Sequence, residues 1–160
     1  MTPAIELLRR LGIDHTVDSY EHDPGHASYG LEAAEALNLD PDQVFKTLMV
    51  TLDNNRTAIG IVPVRCTLDL KAIATAADAK KARMTDPAEA ERRSGYVVGG
   101  ISPFGQRRNQ TTIVDSSALD HLRVHCSGGR RGLEVGVSPD AFVSVLDARF
   151  APIAIWPTRA

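Results

Sequence analysis

The sequence predicts an α/β (α+β) fold, a mixed β-sheet flanked by helices, built as one domain over 1–160. Three observations carry this. Strand-like and helix-like runs are interleaved along the chain, which places both in one core. At least two strands are joined by a tight turn, so the sheet is partly antiparallel and not doubly wound and parallel. A length of 160 residues with 43% hydrophobic content suits a single core of ordinary size.

Thr2 caps a first helix with Pro3 in its first turn; Ala4, Leu7, Leu8 and Leu11 form its apolar stripe and Gly12 ends it. A short strand follows from Thr16 to Tyr20, then a turn-rich loop, Glu21 to His26. Ser28 caps a second helix to Leu37. Val44 to Leu52 is a strand, Asp53-Asn54-Asn55 a turn, and Thr57 to Val62 its hairpin partner. A helix starts at Leu68-Asp69-Leu70-Lys71 and runs to about Ala77. Asp86-Pro87-Ala88-Glu89 resembles a capping box, opening a helix to Arg93 that Gly95 stops. Thr111 to Val114, Leu122 to Cys126 and Leu133 to Val137 are strands. Ser138-Pro139 caps a last helix through Leu146, and Ala151 to Trp156 forms a final strand.

No run approaches the roughly 18 apolar residues that span a bilayer, so no membrane partner is expected. The opening residues do not read as a secretory signal. Cys66 and Cys126 are unpatterned, which makes a reducing cytoplasm the expected compartment and buried structural thiols the expected role. The net charge of −2 excludes a global positive field for gripping long nucleic acid. Any such contact falls to local basic pairs: Lys80-Lys81, Arg92-Arg93, Arg107-Arg108 and Arg130-Arg131, of which at most two are expected to meet a ligand.

Lys46 is the most informative residue. Side chains alternate along a strand, so Lys46 shares a face with Val44, Leu48, Val50 and Leu52. An ammonium on an apolar layer is costly unless a partner answers its charge; otherwise its head snorkels to water. Two glycine-rich loops, Gly99 to Gln106 and Ser127 to Gly132, allow close backbone approach to a ligand or simply make tight turns. Neither has the ending of a phosphate-binding loop. His22 and His26 are four apart, but Pro24 and Gly25 between them argue against a metal-binding helix; no metal or cofactor is expected. His121 and His125 are expected at the surface. No nucleophile motif is present. An enzyme built this way positions a substrate that carries its own reactive group.

These residues resemble the YbaK/EbsC family, free-standing relatives of the prolyl-tRNA synthetase editing domain, over about Met1 to Ala154. The matching stretches are Thr2-Pro3-Ala4, Tyr20 to Pro24, Asp42 to Leu48, Leu68 to Lys71, Gly95 to Gln106 and Ser127 to Leu133, in that order. The resemblance implies a pocket for the aminoacylated 3′ end of tRNA and removal of cysteine from mischarged Cys-tRNA(Pro), the substrate's thiol attacking its own ester. It also implies a complex with prolyl-tRNA synthetase. Lys46 matches the family's essential lysine, and Tyr20, Thr47 and Ser127 match pocket residues. Tyr29 stands where phenylalanine is usual and Glu134 where aspartate is usual. Backbone amides of Gly99, Gly100 and Ile101, and of Gly128 and Gly129, are expected to hold ribose and carbonyl oxygens. Two alternatives stay open. One is a deacylase of alanine or another small residue that uses an activated water. The other is a non-enzymatic tRNA-end or synthetase-binding module.

Overall fold

A computed structural model describes residues 1–26 and 28–158. Helix α1 (Pro3–Arg10) starts where expected, Thr2 Oγ1 accepting from the Ile5 amide at 3.3 Å, and Arg9 and Arg10 answer the dipole of its last turn. Strand β1 (His15–Ser19) and helix α2 (Tyr29–Ala36), with Ser28 as cap, follow. The long hairpin pairs β2 (Phe45–Leu52) with β3 (Thr57–Pro63). Leu68, expected in a helix, lies in β4 (Thr67–Leu68), because Asp69 caps α3 (Leu70–Ala76) by accepting from the Ala72 amide. A short β5 (Ala82–Met84), which nothing in the sequence pattern predicts, precedes α4 (Pro87–Ser94). The capping box expected at α4 does not form. Asp86 makes no cap hydrogen bond, and Glu89 turns forward to Arg93 at 2.9 Å.

Strand β6 (Thr111–Asp115) leads to β7 (Val124–Ser127) and β8 (Leu133–Val137). Leu122, 97% exposed, falls outside the strand expected to contain it. Helix α5 (Asp140–Leu146) is followed by β9 (Arg149–Ala151) and β10 (Ala154–Ile155). The single terminal strand expected over Ala151 to Trp156 is thus broken, for a definite reason. Pro152 has no amide to donate, and the amides of Ile153 and Ala154 are both spent on Asp115 Oδ1 at 2.9 Å.

The strands form a mixed five-stranded sheet, order β5-β2-β3-β6-β9, in which β5–β2 and β2–β3 pair antiparallel and β3–β6 and β6–β9 pair parallel. An antiparallel sheet, β1-β8-β7, lies beside it, and β4 pairs with β10. Among the described residues one parallel bridge, Val44 to His125, joins the two larger sheets, helped by Gln43 Nε2 donating to Arg123 O. That junction encloses His125, which is buried and not at the surface as expected. Side chains of β2 alternate between two apolar layers: Phe45 and Met49 join one core with Ile59, Ile61 and Phe104, while Val50 and Leu52 join another with Val62 and Ile73.

Asp115 is 4% exposed and accepts four hydrogen bonds, the other two from Ser117 N and Oγ. Asp115→Ala strands two backbone amides at the β9–β10 break. It is expected to cost about 3 kcal/mol, lowering the unfolding midpoint by about 10 °C in a thermal melt.

Candidate active site

The site arises where β2 runs short of partners. Its outer edge pairs with β5 only at Val50 to Leu52, and Met49 O accepts from the Thr85 amide. At its start, Val44 touches β7. Between these points, among the described residues, no strand pairs with that edge. A cavity of about 370 Å³ fills the gap, lined by Lys46 and Thr47 of β2, Tyr29 of α2, Gly99 and Ile101, and Ser127 and Glu134 of β7 and β8. Because it lies on a strand edge, it meets consecutive β2 residues from Phe45 to Met49. Backbone groups point the same way every second residue, so Thr47 presents its N–H and C=O to the cavity as Met49 presents its carbonyl to β5.

Lys46 lies between the cluster of Val44 and Val64 and the layer of Val50 and Val62. It forms no ion pair among the described residues. Burial pushes its pKa down, with Cys66 pulling weakly the other way. Two buried oxygens in the lining also lack partners: Thr47 Oγ1 and Glu134 Oε2. Glu134 sits across β8 from Asp18 on one side and Ser127 on the other. Burial first, then the Asp18 charge, raises its carboxyl to about 8. It is therefore protonated at neutral pH.

Three segments distant in sequence are clasped at the cavity wall. The Arg131 guanidinium stacks 4.7 Å from the Tyr29 ring and donates twice to Val98 O, at 3.1 and 2.7 Å. Gly99, at φ +90°, passes beside both; a Cβ there would lie 2.8 Å from both Arg131 Nε and the Tyr29 ring. Tyr29 also packs on His22, which bonds Glu32 at 2.7 Å. Burial pushes the Glu32 carboxyl up, but the bonds from His22 and the Asp23 amide together hold it below its ordinary value. His26 pairs with Glu35.

Not all expected residues reach the cavity. Tyr20 packs against the Val44 cluster; burial, then the Glu134 and Glu32 charges, raise its phenol to about 12. Gly100, Gly128 and Gly129 are outside the lining, and their amides are already committed, to Val97 O, Leu133 O and Ser127 Oγ. The expected amide cradle from these three glycines is therefore not available. Sequence reasoning missed Met49, Met84, Thr85, Pro87, Ala90 and Val98 in the lining; Met49, Pro87 and Ala90 read as ordinary strand and helix residues, and Met84, Thr85 and Val98 fall in no expected element. Cys66 and Cys126 are buried and unpaired, and neither lines the cavity. A wider groove of about 1050 Å³ between α1 and α5 contains none of the expected site residues.

The orphan oxygen of Glu134 has a consequence for stability. Below about pH 4.5 the carboxyl is protonated in both folded and unfolded chains. From there to about 8 the unfolded chain releases its proton while the folded one keeps it, so stability falls as pH rises and levels off above 8. Glu134→Gln removes this slope. The variant is expected to match wild type near pH 4.5 and exceed it at pH 8.5 by on the order of 3 kcal/mol. Denaturant unfolding across that range checks it; parallel curves would contradict it.

A recess offering a partnerless cation and unpaired oxygens, with no histidine or cysteine in its lining, is a pocket that orients a polar ligand. The chain belongs to the aminoacyl-tRNA editing domain family, whose sequence pattern matches residues 24–145. It is 31% identical over 120 residues to an Enterococcus faecalis protein, EbsC, named as a candidate Cys-tRNA(Pro)/Cys-tRNA(Cys) deacylase, covering 75% of this chain and 73% of that one. Two solved structures share the fold. One is a hypothetical protein (TM-score 0.85, 23% identity, 96% of this chain and 99% of that one). The other is a candidate trans-editing enzyme for prolyl-tRNA synthetase (TM-score 0.83, 20% identity, 96% and 95%).

Proposed function

We propose that this editing-family enzyme is a cytoplasmic trans-editing deacylase that removes cysteine from mischarged Cys-tRNA(Pro). The observation that carries the reading is the cavity itself: a lysine without a partner and two orphaned oxygens, with no nucleophile–base pair. The name of the E. faecalis relative supports the choice of cysteine.

In this reading Lys46 holds the phosphate of the terminal nucleotide as a point charge. Glu134 Oε2 accepts from the α-ammonium of the amino acid, which also favours the charged carboxylate. Tyr29 walls the pocket, and Thr47 N–H faces the ester carbonyl in place of the committed glycine amides. The cysteinyl sulfur bonds to the carbonyl carbon, the acyl–ribose bond breaks, and the thiol proton ends on the ribose oxygen. The cyclic thioester then hydrolyses. Well-oriented intramolecular attack reaches effective molarities of about 10⁵ M, roughly 7 kcal/mol of barrier, so positioning supplies most of the effect. Prolyl-tRNA synthetase, as partner, supplies the selection of tRNA that a chain of net charge −2 lacks.

One observation favours a second reading. A carboxyl raised to about 8 is a stronger base once ionised, so Glu134 could activate water on Ala-tRNA(Pro) instead. The test is a deacylation panel of Cys-, Ala- and Pro-tRNA(Pro), with Lys46→Ala as control. Rapid loss of cysteine alone is expected. Hydrolysis of alanine alone selects the water mechanism, and intact substrates throughout leave only a binding module.

A further inference from the structure

Two of the four basic pairs in the sequence are brought together by the fold. Arg92 and Arg93 at the end of α4 meet Arg107 and Arg108 around a cavity of about 320 Å³ that these four side chains line. One carboxylate answers them: Glu89 lies 2.9 Å from Arg93 and 4.0 Å from Arg92. Arg107 donates to Arg92 O, and Arg108 has no ion pair among the described residues. Four guanidiniums against one carboxylate form a concentrated positive site on a chain of net charge −2.

The site is held in shape. The Arg107 amide donates to Ser94 O, Tyr96 Oη donates to Phe104 O at 2.6 Å, and Gln106 Nε2 donates to Ser102 O. It also adjoins the active site. Pro87 and Ala90 of α4 wall the main cavity, and Arg93 is one turn beyond Ala90, about 5 Å along the axis.

We infer that the Arg92–Arg93–Arg107–Arg108 cavity binds backbone phosphates of the tRNA strand just 5′ of the terminal adenosine, the strand crossing α4 as it leaves the active site. This rests on the proposed function. Guanidiniums suit phosphate oxygens by geometry as well as charge. A patch confined to one end of α4 reads a few phosphates, which reconciles RNA binding with an acidic chain.

The test compares wild type, Arg107→Gln/Arg108→Gln and Arg108→Gln alone on full-length Cys-tRNA(Pro) and on 3′-O-cysteinyl-AMP. Arg108→Gln guards against misfolding, because Arg107 also packs on the α4 end. For the double variant, KM on tRNA should rise about tenfold with kcat within twofold. The slope of log KM against log salt should flatten by about 1 to 2. KM on the small ester should not move. An unchanged tRNA KM and salt slope, or an equal rise on both substrates, overturns the inference. If wild type cleaves neither substrate, the deacylase reading fails by itself. Filter binding of uncharged tRNA, weaker for the variants or not, then decides the phosphate site separately.

Discussion

Lys46→Ala is expected to lower kcat/KM for Cys-tRNA(Pro) by about 10²- to 10³-fold with no loss of folding stability. Truncating one partner of a desolvated charge pair costs about 3 to 4 kcal/mol, and each 1.36 kcal/mol is a factor of ten in rate. The stability half of the expectation is the more diagnostic. Lys46 is pushed toward its neutral form by burial and has no ion-pair partner among the described residues. The free protein therefore gains nothing from its charge, and alanine is tolerated or slightly stabilising. Single-turnover deacylation and a thermal melt on the same preparation read both halves. A loss under fivefold, or a large loss accompanied by a melt lowered by about 10 °C, removes Lys46 as a substrate anchor.

Blocking the substrate's thiol should have an even larger effect. S-methylcysteinyl-tRNA(Pro) is expected to be cleaved at least about 10³-fold more slowly than Cys-tRNA(Pro), because the intramolecular nucleophile and its effective molarity disappear together. The methyl group adds little bulk to a cavity of about 370 Å³ walled in part by Met49, Met84 and Val98. Exclusion from the pocket is therefore a poor competing explanation, and competition by the methylated substrate against Cys-tRNA(Pro) checks that it still binds. Comparable rates for the two esters would transfer the reaction to a water activated by Glu134.

Much of this was legible in the sequence, for physical reasons that differ by residue. Lys46 stood out because strand alternation makes one polar residue on an apolar face visible, and β2 and β3 pair as their turn required. Thr47 should point to the opposite layer by the same rule, yet it lines the same cavity as Lys46. Alternation describes the faces of a strand, and this recess is on an edge. Which edge stays open depends on where β5 stops, and β5 carries no pattern of its own. The glycine loops were read as close approaches to a ligand or as tight turns; in the structure they approach each other, a Cβ on Gly100 lying 2.7 Å from Arg130 Cα. The two arginine pairs were visible singly. Their meeting was not, because 13 residues of irregular loop and helix end separate Arg93 from Arg107.

Among the described residues the two larger sheets share one backbone bridge, Val44 to His125, and are otherwise joined only through side chains of their common core. Lys46 and Thr47 stand on one side of this seam, Ser127 and Glu134 on the other. A molecule gripping both sides acts as glue. By linkage, the same free energy that sets its affinity also resists parting of the sheets. Hydrogen exchange along the Val44–His125 seam should therefore slow when the recess is filled, and mutations that loosen the seam should weaken binding without touching the ligand.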